Sequence, residues 1–247
     1  MTPYRRRRFF VPSEQIRDGV AFLPPDQAHH LRTVLRLKAG DSVEIFDGEG
    51  SGYSGRIEDR DADTVVVLLE KLTARQSSVW TALAPALIKA DRFEWMLEKA
   101  TELGVDEIRP LETRFADIRI PGTRLEARLE RWRRIVRESS KQCRRLSIPI
   151  IHAPIPLREL SSLNEPRFTA KLFLHERAAS PWVARHQAAD RILVCTGPEG
   201  GWSEREVEEA RQAGFDIIHL GPRILRAETA AIAALTIIQF AAESAQH

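Results

Sequence analysis

Cysteine is scarce: Cys143 and Cys195 are the only two in a chain of 247 residues. Both sit within apolar patterns, which argues against a disulfide-stapled fold and for small core thiols in a reducing compartment. No Cys-x-x-Cys and no His/Cys cluster is present, so no metal is expected. No apolar run is long enough to span a bilayer. The longest, Ala230 to Ala242, is interrupted by Thr236 and Gln239. A secretory signal is not read either, because Phe9-Phe10-Val11 meets Pro12 and Glu14 at once. The expectation is a cytoplasmic protein without a membrane partner. Net charge is nearly absent too, at +2, so the overall balance excludes little.

The distribution of charge says more. Arg114 to Arg145 holds eleven Lys/Arg against four Asp/Glu, and Arg5-Arg6-Arg7-Arg8 forms a second concentration. Such local excess suits phosphate contact. With 43% apolar residues the chain can bury a sizeable core in one large or two modest domains.

Up to about residue 74 the pattern is short strands and turns. Arg8 to Val11, Ser42 to Phe46, Tyr53 to Glu58 and Thr64 to Leu69 read as strands, with a short helix over Ala28 to Leu35. This predicts a small β-barrel. From about residue 77 strands and helices alternate, which predicts a mainly parallel sheet. Val79 to Ala86 is its first strand. Asp91 with Glu94 reads as the cap of the following helix, and Ile108 to Leu111 reads as one strand. Thr123 to Arg145 is a long amphipathic helix, with Leu125, Leu129, Trp132, Val136 and Cys143 on its apolar face. Strands follow at Ile148 to His152 and Ala170 to Leu174.

Chemistry concentrates in Thr196 to Leu235. The run Ile192 to Cys195 leads into Thr196-Gly197-Pro198-Glu199-Gly200-Gly201, and Ser203 with Glu206 then forms a capping box for a helix to Ala213. Gly214 stops that helix. A second run, Asp216 to Leu220, leads into Gly221-Pro222-Arg223-Ile224-Leu225-Arg226 and a helix from near Ala227. Strand-to-helix loops of this kind gather at the carboxyl edge of a parallel sheet, where ligands bind. Gly-Pro-Glu-Gly-Gly has neither the dinucleotide spacing nor a following Gly-Lys-Ser/Thr, and Glu199 would repel a pyrophosphate. A ligand with hydroxyls or a cationic centre suits it better.

TGPEGGWSEREVEEARQAGF followed by LGPRILRAETAAIAAL closely resembles the C-terminal signature of the bacterial small-subunit ribosomal RNA uridine-N3 methyltransferases, members of the knotted SPOUT class. KADRFEWMLEKATELGV, the Gln142-x-x-Arg145 segment and HHLRTVLRLKAGD extend the resemblance over nearly the full length. At Arg144 the family often has a small residue. The resemblance implies a PUA-like RNA-binding β-barrel over residues 1–74 and a knotted α/β methyltransferase domain over residues 75–247. It implies S-adenosylmethionine as cofactor, 16S rRNA within the assembled small subunit as substrate, and a homodimer that builds the site at its interface. Leu174 and His175 would open the first cofactor loop, Thr196, Gly197, Pro198, Glu199, Gly200 and Gly201 the second, and Leu220, Gly221, Ile224, Leu225 and Arg226 the third, with Thr229 and Ala230 beside it. Arg7, Arg8, Arg36, Lys89, Arg92 and Arg145 would face RNA.

Uracil N3 is a neutral imide and a poor nucleophile, so its methylation needs a proton removed and the resulting oxyanion stabilised. Arg226 suits the second role. Glu228 and Glu199 are candidates for the base, as is deprotonation in bulk solvent, and Glu228 equally suits the dipole of its helix. Two other classes remain. A nicotinamide oxidoreductase would also use a parallel sheet and would carry a Gly-rich fingerprint at an early strand, which is not read here. A non-catalytic RNA-binding protein would keep the basic surfaces and bind no cofactor.

Overall fold

The computed structural model describes residues 7–60, 63–73, 77–116, 118–162, 168–181 and 189–244. Arg5 and Arg6 of the basic run lie outside them. The chain divides into two compact units, Met1–Gln76 with Ser140–Ile148, and Ser77–Ser139 with Pro149–His247.

The first unit contains β1 (Arg7–Phe10), β2 (Ile16–Arg17), β3 (Val20–Phe22), α1 (Pro25–His29) with a π turn over His30–Val34, β4 (Ser42–Phe46), β5 (Gly52–Arg60) and β6 (Asp63–Lys71). They form one sheet in the order β1-β4-β5-β6-β3-β2, parallel between β1 and β4 and antiparallel elsewhere. Phe9, Val43, Ile45, Ile57 and Val66 from the strands close on Leu31 to make its core. Asp18 and Gly19 both take positive φ, 53° and 73°, which turns β2 back onto β3 with the twist a tight hairpin requires. Gly50-Ser51-Gly52-Tyr53-Ser54-Gly55 does have dinucleotide spacing, but Gly52 and Gly55 lie within β5 and no helix follows. It is therefore no pyrophosphate loop.

Segment Ser140–Ile148 belongs to this unit through backbone bonds. Ile148 N donates to Gly48 O at 2.8 Å, and Gly50 N donates to Leu146 O at 3.2 Å. Arg144 donates to both carboxylate oxygens of Glu44 at 2.7 Å, which gives the large side chain at this position a structural partner. Arg8 is only 6% exposed, its guanidinium 4.4 Å from the Phe46 ring centroid. Burial pushes it down to about 10, against the opposing pull of Glu44.

The second unit begins with β7 (Trp80–Pro85), α2 (Ala90–Glu102), β8 (Glu107–Ile108), β9 (Leu111–Glu112) and α3 (Gly122–Cys143), whose last four residues group with the first unit. It continues with β10 (Ile150–Ile151), β11 (Ile155–Pro156), α4 (Leu157–Ser162), β12 (Ala170–Leu174), β13 (Ser180–Pro181), β14 (Arg191–Thr196), α5 (Glu204–Gln212), β15 (Asp216–His219) and α6 (Ala227–Ser244). Seven strands form a wholly parallel sheet in the order β10-β8-β7-β14-β12-β15-β13. Its central strands read as continuous apolar runs, as a sheet covered on both faces requires. Ala82, Ala84, Leu193, Cys195 and Phe173 form the core on one side with Trp202, Ala210 and Phe215. Burial pushes the Cys195 thiol far above its ordinary range, so it is an inert core group.

Two local expectations need correction. Lys89, not Asp91, precedes the first turn of α2, and no side chain caps it. Glu94 is drawn away instead, accepting from Arg131 Nε and a second guanidinium nitrogen at 2.6 Å and from Arg128 at 3.3 Å. The strand expected over Ile108 to Leu111 is two strands in different sheets, because Pro110 between them has no N–H to continue a ladder.

Candidate functional site

The strand order contains a reversal: β12 lies between β14 and β15, although it precedes both in the chain. The loops leaving the carboxyl ends of these three strands therefore converge, as they do at a topological switch point. They enclose a cleft of about 390 Å³, within the range of small-molecule sites.

Each loop is shaped by specific bonds. After β12, His175 N donates to Ile218 O at 2.9 Å, and His175 Nδ1 accepts from Arg177 N at 2.9 Å. After β14, Gly201 N donates to Pro198 O at 3.0 Å, with Gly201 at φ 71°. Trp202 locks this loop to the first one. Its Nε1 donates to Leu174 O at 2.9 Å, and its ring lies 4.3 Å from that of Phe173. A Cβ on Gly197 would stand 2.8 Å from Trp202 Nε1, and one on Gly200 would stand 2.9 Å from Phe115 Cβ. Both glycines are thus set by close approach. The capping box at the start of α5 is complete: Ser203 N donates to Glu206 Oε2 at 2.8 Å, and Glu206 N donates to Ser203 Oγ at 3.3 Å. Glu206 Oε1 also accepts from Arg114 N at 2.9 Å, which fastens the segment carrying Phe115. After β15, Gly221 takes φ 121° and donates to His219 Nδ1 at 3.0 Å.

The cleft brings together Leu174, His175, Gly197, Pro198, Glu199, Gly200, Gly201, Leu220, Gly221, Ile224, Leu225, Arg226 and Ala230, each expected from the sequence. Three expected residues do not line it. Thr196 is buried in β14, where its carbonyl accepts from Ala86 N at 2.8 Å. Glu228 is buried in the first turn of α6, with Oε2 unpartnered among the described residues. Thr229 is exposed on the same helix. Glu176 and Arg223, members of the first and third loops, line the cleft as well, and Trp202, His219 and Ala227 line it without having been expected. Position alone would have pointed to these three, since Trp202, His219 and Ala227 directly adjoin the named loop segments.

The basic residues separate. Arg7 and Arg36 are exposed in the first unit, whereas Arg8 is buried there and cannot offer a surface charge. Arg145 is half-buried and donates to Ser147 Oγ at 3.3 Å. In the second unit Lys89 is exposed, and Arg92 forms an ion pair with Glu199. Glu199 is therefore engaged by a guanidinium, and as a base it would have to give up that partner. Among the described residues, no helix is long and apolar enough to cross a membrane.

Residues 75–239 match the family model of an RNA methyltransferase domain, and residues 23–70 match that of an RNA methyltransferase PUA domain. A ribosomal RNA small subunit methyltransferase E of a Synechocystis strain is 33% identical over 96% of this chain and 78% of its own length. That of Mesomycoplasma hyopneumoniae is 33% identical over 93% and 97%. Among solved structures, a ribosomal RNA small subunit methyltransferase E from Neisseria gonorrhoeae, bound to S-adenosyl methionine, superposes with a TM-score of 0.86 at 30% identity over 95% of this chain and 97% of that one. A Legionella pneumophila protein described as a methyltransferase, also with its cofactor, gives 0.85 at 32% identity over 96% and 98%. Similarity of this extent, in sequence and in fold together, makes the chain a member of the ribosomal RNA small subunit methyltransferase E family.

Proposed function

We propose that the cleft binds S-adenosylmethionine and that the chain methylates N3 of a uridine in 16S rRNA, within the assembled small ribosomal subunit. The observation that carries this reading is the convergence of the three loops on one cleft whose walls combine close-approaching backbone with apolar side chains. Leu174, Ile224, Leu225 and Ala230 offer an apolar surface for an adenine ring, and the peptide groups of Gly197 to Gly201 and Leu220 to Leu225 offer its polar contacts. Bound there, the cofactor would supply an electrophilic methyl group on a sulfonium.

The chain's own part is alignment and charge. Arg226 is exposed at the cleft, where its guanidinium would donate to a uracil oxygen as negative charge develops. Glu199, anchored to Arg92, orients the second loop. Glu228 stands outside the cleft lining and serves the N-terminal dipole of α6, so the N3 proton passes to solvent rather than to that carboxylate.

The PUA-like barrel of residues 1–74 would hold RNA, and residues 75–247 would form the catalytic domain with its last helix threaded through a knot. Two copies would pair through α6, whose Phe240 is 71% exposed and whose Ala-rich first half permits close packing. Cytoplasmic placement follows from the substrate.

Calorimetry with S-adenosylmethionine and with NADH separates this reading from an oxidoreductase or a non-catalytic RNA binder. Methyl transfer to isolated small subunits, followed by nucleoside analysis, then identifies the product. 3-Methyluridine is expected; cofactor binding without a methylated uridine would overturn the assignment.

A further inference from the structure

A second cavity lies beside the cleft and has no part in the chemistry above. It measures about 120 Å³ and is lined by Leu87, Ile88, Ala90, Phe93, Ile118, Arg119, Ile120, Pro121, Arg124, Arg128 and Trp132. The segment after β7 and the start of α2 form one wall, and α3 with the residues before it forms the other. It shares no lining residue with the cofactor cleft. The two are nevertheless neighbours, because β7 pairs with β14 up to Pro85 and Thr196, and Arg92 of α2 holds Glu199 of the cofactor loop.

Resting on the reading of the chain as an RNA methyltransferase, we propose that this pocket takes one unstacked pyrimidine base of the RNA, a neighbour of the methylated nucleotide rather than that nucleotide itself. The size fits one six-membered ring, being of the order of the ~150 Å³ apolar cavity that accepts benzene. Phe93 and Trp132, with ring centroids 4.7 Å apart and only 1% and 2% of their surface exposed, close the inner end of the cavity with aromatic carbon. Trp132 is 2% exposed, and its Nε1 has no acceptor among the described residues. An indole N–H can only donate, so the missing partner is an acceptor such as a pyrimidine carbonyl oxygen. Charge at the rim completes the match. Arg124 and Arg128 stand one helical turn apart, and Arg119 precedes them. Arg128 is engaged by Glu94, whereas Arg119 and Arg124 are exposed and carry no ion pair among the described residues. They are placed for the phosphates on either side of the seated base. A base held here while its neighbour enters the cleft fixes the register of the strand on the enzyme.

The test uses the full-length protein and small ribosomal subunits reconstituted with rRNA transcribed with a fraction of its uridines replaced by 4-thiouridine. After irradiation, the cross-linked peptides are mapped. Label on the peptides holding Phe93 or Trp132 is expected, together with its loss by ~10-fold in Ala90→Trp, which fills the mouth from an exposed position. Arg124→Ala is expected to flatten the slope of log RNA affinity against log salt by roughly 0.7. S-adenosylmethionine titration should be the same in both variants and in the parent. No label on these peptides, which leaves the pocket to another kind of occupant, or label unchanged by Ala90→Trp, overturns the proposal. Methyl transfer by the parent protein is scored separately, so a failed catalytic assignment is distinguishable from an empty base pocket.

Discussion

Arg92 and Glu199 are joined across the carboxyl edge of the parallel sheet, tying the first turn of α2 to the glycine loop that follows β14. Both side chains keep a third or so of their surface in solvent, at 31% and 41%. The pair is therefore worth ~0.2–1 kcal/mol. Arg92→Ala should weaken S-adenosylmethionine binding by at most about five-fold, and Glu199→Gln by a similar amount. The double variant should lose little more than either single one. Calorimetry on the four proteins measures this, and fully additive losses would show that the pair does not organise the loop.

Arg226 gives the sharpest test of mechanism. If it stabilises the uracil oxyanion, Arg226→Ala lowers single-turnover methyl transfer by ~10² to 10³ and leaves cofactor affinity nearly intact. Arg226→Lys keeps the charge without the planar fork and should recover only part of the rate. Lost cofactor affinity with normal transfer at saturation would make Arg226 a loop-shaping residue.

Gly197 tests the close approach. The Cβ of Gly197→Ala would stand 2.8 Å from Trp202 Nε1 and 2.9 Å from Cε2. Trp202 cannot easily yield, since it is fixed by Leu174 O and packed on Phe173. An overpacking cost of ~1–3 kcal/mol is expected, read as a lowered Tm and weakened cofactor binding. A variant with parental Tm and affinity would mean that the loop has room to move.

Glu94 sets an acid limit on the second unit. Its hydrogen bond to Arg131 comes first among the causes that hold its pKa below the usual carboxylate value, with Arg128 adding charge. A carboxylate depressed in the folded state contributes stability above its unfolded pKa of ~4.3 and loses it as pH falls through the lower folded value. Denaturant unfolding of Glu94→Gln and the parent should therefore differ at neutral pH and converge as the buffer is acidified below pH ~4. A difference that persists unchanged at low pH would assign Glu94 a packing role.

Much of this was legible in the sequence where local chemistry decides the outcome. The Ser203–Glu206 capping box, Gly214 with φ 80° and the start of α6 at Ala227 follow from single residues and their spacing. The hairpin at Asp18-Gly19 was equally local; its Asp-Gly signal was present, but the strands on either side are too short to show a period. Distant partners were illegible. Nothing in the chain near Arg8 tells that Phe46 and Glu44 will bury it, and nothing near Asp91 tells that Arg131 will claim Glu94. Glu228 and Thr229 look like site residues because they adjoin one, yet the pitch of α6 turns them away from the cleft that Ala227 and Ala230 reach.

The register of the parallel sheet carries a consequence for biosynthesis. Trp80 of β7 pairs with Arg191 of β14, and that strand also supplies the loop that shapes the cleft. A ribosome adding residues at ~5–20 per second needs on the order of ten seconds to deliver the second strand after the first. Throughout that interval β7 is outside the exit tunnel with apolar side chains, one edge of unpaired N–H and C=O groups, and only β8 available to pair with the other. The nascent chain is then a natural client for a chaperone, and any fragment ending before Thr196 would retain that vulnerability permanently.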